Sequence, residues 1–253
     1  MNYCKSSTAL LLLLVIGYTS SAQMFQNVPS WQFGVGGGVF VYQGDLSEEK
    51  AGSYKTLRPA VQLFGGKLVS AGFGWRLNLA IGSIEGDESV YEEPEYRRQR
   101  GFRFTSSIVE PSAMIEWNVL NRNYEVKKLA PYVGLGVGYT FLDIERDYSR
   151  YNAEYFSDNG ETSNGLSEDI QHTPPGGRVF IPLFAGVRYF FSDKIGVGLE
   201  TNIRRTSTDY LDGFSKAVNP KQGDNYYSHT LNVIFRFGKA NMLDCPRPLK
   251  TRY

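Results

Sequence analysis

The stretch IGVGLETNIRR, Ile195 to Arg205, alternates without a break. Ile195, Val197, Leu199, Thr201 and Ile203 share one parity; Gly196, Gly198, Glu200, Asn202 and Arg204 share the other. Successive side chains of a β-strand point to opposite faces, so this is a strand with one apolar face and one face of glycine, amide and charge. A soluble sandwich or lipocalin-like barrel alternates too, but turns its apolar face inward. Small and polar side chains suit the crowded interior of a small membrane barrel, and large apolar ones suit lipid. Which face is inside therefore decides the fold.

The same scheme recurs along the chain. WQFGVGGGVFVYQG sets Trp31, Phe33, Val35, Gly37, Val39 and Val41 against Gln32, Gly34, Gly36, Gly38, Phe40 and Tyr42. FGWRLNLAIGSI sets Phe73, Trp75, Leu77, Leu79 and Ile81 against Gly74, Arg76, Asn78, Ala80 and Gly82. Near the end, Leu231, Val233, Phe235 and Phe237 oppose Asn232, Ile234 and Arg236. Alternation predicts eight strands, near 31–44, 56–69, 72–85, 102–119, 130–143, 178–191, 194–209 and 226–238. Their lengths suit tilted strands crossing a bilayer, which need ~9–11 residues in the apolar zone. The connections at 70–71 and 192–193 are tight and that at 120–129 moderate, whereas those near 45–55, 86–101, 144–177 and 210–225 are long and polar. This parity predicts an all-β, eight-stranded antiparallel up-and-down transmembrane β-barrel, with short periplasmic turns, long external loops and both termini periplasmic. Trp31, Trp75, Trp117 and Tyr189 fall near strand ends, where an interfacial girdle sits.

The first residues point to export. Lys5 precedes the apolar run Ala9–Ile16, and SSAQ supplies small residues for cleavage after Ala22. The expected organisation is a signal peptide at 1–22, a periplasmic lead at 23–30, a barrel at 31–238 and a periplasmic tail at 239–253. Cys4 precedes the apolar run, which disfavours a lipoprotein, and its removal leaves Cys245 with no intramolecular partner. The chain has 27 basic and 26 acidic residues; loss of Lys5 leaves 26 against 26, without the basic excess of a nucleic-acid binder. The compartment these features predict is the outer membrane of a Gram-negative bacterium, with outer-membrane lipid as the first partner.

On this register the lumen receives Arg76, Glu110, Glu116, Arg188, Glu200, Arg204 and Arg236. Eight strands leave an interior just wide enough for side chains, so mixed charge predicts a packed network instead of a pore. Glu110 and Glu116, six residues apart on one strand, stand ~20 Å apart, too far for acid–base partnership. His172 and His229 are the only histidines, and Ser228 and His229 point to opposite faces, so no nucleophile, base and orienting group converge. The expectation is a non-enzymatic protein with no catalytic, cofactor or metal residues. Asp158, Asn159 and Gly160 lack the spaced oxygens of a calcium loop and read as a solvated turn. The basic run EYRRQRGFR, with Arg97, Arg98, Arg100 and Arg103, is either a charged loop base or a contact for anionic sugar phosphates. In TDYLDGFS, Asp209, Tyr210, Asp212 and Gly213 form an expected rim turn, its acids paired with Arg204, Arg205 or loop arginines.

Several landmarks recur in one order: YQGDL, RPAVQLF, RLNLAIGSIEGDE, FRFTSSIVEPSAMIEWNVL, APYVGLGVGY, FIPLFAGVRYFFSDKIGVGLETNIRRTSTDYLDGFS and FRFGKANMLDCP. From Trp31 to Pro246 the succession resembles the PorG-like outer-membrane β-barrel family of Bacteroidetes, components of the type IX secretion system that are widely described as a domain of unknown function. The most specific pieces are GDL and RRTSTDYLDGFS. The resemblance implies an eight-stranded barrel without cofactor or catalytic residues. It also implies partners, a periplasmic ring of PorK-like lipoprotein and PorN-like subunits. Candidate contact residues for that ring are Lys127, Lys128, Cys245 and Arg247, in the turn 121–129 and the tail. The alternative is a surface barrel whose external loops bind a ligand, a host molecule or lipopolysaccharide.

Overall fold

A computed structural model describes residues 29–47, 51–157, 160–206, 210–218 and 224–240. Eight antiparallel strands close into a barrel: β1 (Pro29–Gln43), β2 (Arg58–Leu68), β3 (Phe73–Asp87), β4 (Arg103–Asn118), β5 (Leu129–Asp147), β6 (Gly177–Phe190), β7 (Ile195–Thr206) and β8 (Asn225–Ala240). Each strand pairs with its sequence neighbour, and β8 returns to β1 through a ladder running from Trp31–Phe237 to Gln43–Asn225. Closure removes both sheet edges, so every strand finds its backbone partners within the wall. One strand occupies each of the eight alternating segments. The expected signal peptide, most of the lead and the tail from 241 lie outside the described residues, as do Asp209, Cys245 and Arg247.

Exposure separates the soluble and membrane readings. On β7 the apolar residues Ile195, Leu199 and Ile203 face out, while Glu200, Asn202 and Arg204 are about 1% exposed. Leu231 is 62% exposed and Leu77 and Ile115 are 59% exposed, values that a water-soluble barrel would reserve for polar groups. On β5 the outward residues from Val133 to Phe141 are apolar, and Asp143, Glu145 and Asp147 continue the same face. Those eight steps cover ~27 Å of strand, or ~20 Å of height at a tilt near 40°. This run fills most of the ~25 Å apolar band of an outer-membrane barrel and stops where charge begins.

The tryptophans mark one border of that belt. Trp31 and Trp75 meet edge to face at 5.9 Å, and Phe73 stacks on Trp117 at 6.5 Å. Tyr189 packs beside Phe191 at 5.3 Å, so all of these rings lie at the tight-turn end. The turns themselves are short and bonded: Val69 N and Ser70 N donate to the Phe73 carbonyl, and Phe191 N donates to that of Ile195. Interfacial aromatics hold the barrel's depth in lipid, because each ring is apolar with a polar edge.

The third connection differs from an open turn. Residues 119–128 fold across the mouth of the barrel, with Asn121 and Lys127 at positive φ. Asn123 is fully buried; its N–H donates to the Ala71 carbonyl and its side chain to that of Ser70. Lys127 N donates to the Phe190 carbonyl, and Val126 packs against Phe64, Phe190 and Ile234. The segment is a plug bonded to both neighbouring turns. A protein closed this way should keep its fold in detergent until heated. On a semi-native gel, unboiled and boiled samples are expected to migrate differently, and one unshifted band would count against the closed barrel.

Candidate functional site

Two regions concentrate polar chemistry: the lumen and the loop end of the barrel. In the lumen three arginines meet three glutamates at full burial. Arg76 lies 2.8 Å from Glu200, Arg188 2.9 Å from Glu116, and Arg204 2.7 Å from Glu110. Each carboxylate has further donors. Tyr132 and Gln62 donate to Glu200, Gln32 donates to Glu116, and Tyr226 donates to Glu110. Glu110 and Glu116 therefore serve separate arginines and do not share a proton. Arg236 is the exception among the seven charged residues: its guanidinium donates to the Asn123 carbonyl of the plug.

Aromatic rings sandwich the guanidiniums. Arg76 lies between Phe64 and Phe184, at 4.9 and 4.3 Å from their centroids. Arg188 covers Tyr132 at 4.0 Å, Arg204 covers Phe40 at 4.9 Å, and Arg236 covers Phe190. A planar guanidinium uses its edge for carboxylates and its faces for rings, so charge and bulk fill the same space. Glycine makes room for the rings: a methyl at Gly34 would overlap the Phe64 side chain. Among the described residues the lumen is filled by ion-paired side chains and rings.

At the opposite end the loops build a second core. A 3-10 turn (Glu88–Val90) and helix α1 (Glu95–Arg100) lie between β3 and β4, and helix α2 (Gly160–Gln171) lies between β5 and β6. Leu46, Phe102, Leu166, Leu211, Phe214 and Ala217 are buried together against Phe40, Tyr42 and Phe104 of the barrel rim. Phe102 stacks on Phe214 at 4.5 Å. Apolar burial of this kind is worth roughly 1.5–3 kcal/mol per large side chain, which opposes the entropy of ordering the loops. The result is a cap. The long loops at 86–101 and 144–177 are therefore structured, and β5 runs four residues beyond its expected end.

Buried acids moor the cap. Glu88 accepts from Arg100 Nε at 2.9 Å and lies 3.5 Å from Arg97. Asp169, on α2, accepts from the backbone N–H groups of Ser215, Lys216 and Ala217 at 3.1, 3.1 and 2.9 Å. Asp212 accepts from Phe214 N, and its other oxygen lies 2.8 Å from the Tyr42 hydroxyl. Among the described residues it has no arginine ion pair, and Arg204 is committed to Glu110 in the lumen. Gly213 takes φ +80°, a region open to glycine, and its carbonyl accepts from Arg146. Tyr210 stacks on His172 with centroids 4.2 Å apart.

Each arginine of the run at 97–103 has a carboxylate partner. Arg97 and Arg100 face Glu88, Arg98 faces Glu95, and Arg103 faces Glu85 and Asp87. The run is a charged loop base, in which Arg58 shares Glu85 and Arg150 lies 4.0 Å from Asp87. In the turn-end plug, Lys128 pairs with Glu125 at 2.9 Å, and Lys127 contributes its backbone. His229 sits on the outer wall, bonded to Thr201 and Tyr54, while Ser228 faces the lumen and accepts from Arg204. Among the described residues no three His, Cys, Asp or Glu side chains converge as a metal site.

A family model described as Domain of unknown function (DUF6089) matches residues 7–244. No curated protein matches the chain. Among solved structures it is similar to Ail, the attachment invasion locus protein of Yersinia pestis, at 9% identity over 83% of this chain and 99% of that one, TM-score 0.45. Neisserial surface protein A is similar at 10% identity over 84% and 100%, TM-score 0.44. OprG from Pseudomonas aeruginosa is similar at 12% identity over 84% and 100%, TM-score 0.43.

The buried ion pairs generate a stability test. Glu200→Gln leaves the Arg76 guanidinium buried without its counter-charge, a change that costs ~3–5 kcal/mol. The temperature at which the fast-migrating folded band disappears is expected to fall. Glu95→Gln, at the exposed pair with Arg98, is expected to leave that temperature unchanged.

Proposed function

The chain belongs to the DUF6089 family, and from that premise we propose a non-enzymatic, non-conducting outer-membrane barrel that displays its folded cap as an extracellular binding surface. The cap carries this reading. Loops that served only as connections would gain nothing from a shared apolar core and buried acid moorings, because ordering each residue costs ~1–2 kcal/mol of backbone entropy. Here the loops between β3 and β4, β5 and β6, and β7 and β8 fold on one another, which presents one fixed surface. Its chemistry is aromatic and polar: Tyr96, Tyr148 and Tyr155 are exposed beside Gln99 and Asn152, which are bonded at 2.8 Å. Such a surface would grip a host molecule or lipopolysaccharide through sugar or peptide contacts to these rings and amides.

Cells displaying the barrel are expected to bind immobilised lipopolysaccharide or host-matrix glycoproteins. Replacing α2 by a Gly-Ser linker should abolish binding while the barrel still shifts on heating. Equal binding without α2, or no binding to any probe, would sink the reading. In planar bilayers the purified protein is expected to show no steady conductance, since the lumen and both mouths are filled.

A second reading follows the PorG-like resemblance and the rigidity of the turn-end plug. A firm surface at 119–128, turned to the periplasm, suits docking to a ring of PorK-like and PorN-like subunits. Outer-membrane pull-downs are expected to recover those subunits, and Lys127→Glu with Lys128→Glu should reduce recovery. Normal secretion in a deletion strain would set this second role aside.

A further inference from the structure

Between cap and rim lies a buried polar group that neither the lumen network nor the exposed surface uses. The Tyr42 hydroxyl, near the loop end of β1, stands 2.8 Å from Asp212 Oδ2 and 2.9 Å from Asp224 Oδ1. All three side chains are 0–1% exposed. A phenol carries one proton and so donates to one carboxylate at a time. A second contact of that length, between the phenol's lone pair and an ionised carboxylate, is repulsive unless the carboxyl brings a proton of its own. Backbone donors keep the acids from turning away: Phe214 N holds Asp212 Oδ1 at 2.8 Å, and Leu211 N holds Asp224 Oδ2 at 3.2 Å.

We propose that Asp212, protonated, and Asp224 clasp the Tyr42 hydroxyl between them, and that loss of this proton releases segment 210–218 from the barrel rim. The carboxyl O–H of Asp212 donates to the phenol oxygen, and the phenol O–H donates to Asp224. Charged groups face Asp212 from each side. Asp224 lies on the approach to β8, Asp45 in the β1–β2 connection and Arg100 on α1. Arg100 favours the ionised form, but its guanidinium is bonded to Glu88. Among the described residues Asp212 makes no ion pair. Burial, and then the Asp224 charge, push the Asp212 carboxyl well above the usual carboxylate range.

The sign follows from linkage. The closed form holds a proton that the open form releases at the ordinary Asp value near ~3.9. The clasp is fully present below that value and is lost as pH rises through the raised one. Between the two, the opening constant rises about tenfold per pH unit.

The test uses the full chain in detergent micelles. Proteolysis within 206–225, normalised to an unstructured substrate at each pH, is expected to accelerate about tenfold per pH unit across the titration. Asp212→Asn keeps an N–H toward Tyr42 and does not ionise, so it is expected to flatten the profile in the closed state. Infrared spectra are expected to show a protonated carboxyl band in the wild type that Asp212→Asn removes. The same pH slope in both proteins, or no such band, overturns the proposal. Heat-shifted migration at every pH confirms that the barrel itself stays folded. Should Asp212→Asn fail to fold, Asp224→Asn carries the test: it frees the phenol proton for Asp212, and the slope is expected to vanish at neutral pH. A persisting slope overturns the proposal equally.

Discussion

Eight strands enclose a space that side chains must fill completely, and the rest of the molecule depends on that constraint. Arginine is suited to it because one guanidinium makes flat contact with rings and edge contact with a carboxylate. Arg76 does both, between Phe64 and Phe184 and against Glu200. Taking two charges out of water is costly, so each pair needs further donors on the carboxylate. Tyr132, Gln62, Gln32 and Tyr226 supply them. The same filling extends to the turn end, where Arg236 joins the plug through the Asn123 carbonyl.

The cap solves a different problem with related means. Loops of low regular content must be held in place over the mouth of the barrel. Apolar contact gives the attraction, and buried carboxylates fix direction by collecting backbone N–H groups. Asp169 does this for three consecutive residues at 215–217, which ties α2 to the β7–β8 connection. Charge-assisted bonds of this type are stronger than neutral ones. The cap is held by a few acids at defined points, and each is a point where it can be loosened.

Parity made the wall legible in the sequence. Ile195, Leu199 and Ile203 had to share one face, Glu200 and Arg204 the other, and tight connections at 70–71 and 192–193 ordered the strands. Which glutamate meets which arginine was not legible, because parity gives the facing of a side chain but not the stagger between strands. The cap was hidden for another reason. Tyr42 and Asp212 are 170 residues apart, and no local pattern links them. Helix α2, GETSNGLSEDIQ, has two glycines and weak helix formers, so its helicity comes from burying Leu166 and Asp169. The plug was hidden likewise: NRNYEVKK looks like a solvated turn until Asn123 is seen bonded inside. Leu211 and Phe214, apolar residues in a polar loop, were the available signal of a core.

The composition of the cap core also bears on the order of assembly. Its members come from β1, from the residues just after it, and from three later connections, so they span most of the chain. Phe40 and Tyr42 meet Tyr226 only through the seam between the first and last strands. Such contacts form late, because the loop-closure entropy of nearly the whole chain precedes them. An unclosed barrel would therefore leave these aromatic and aliphatic side chains uncovered at its loop end. The finished cap is a mark of a completed seam, legible at the loop end of the barrel without any view into the wall.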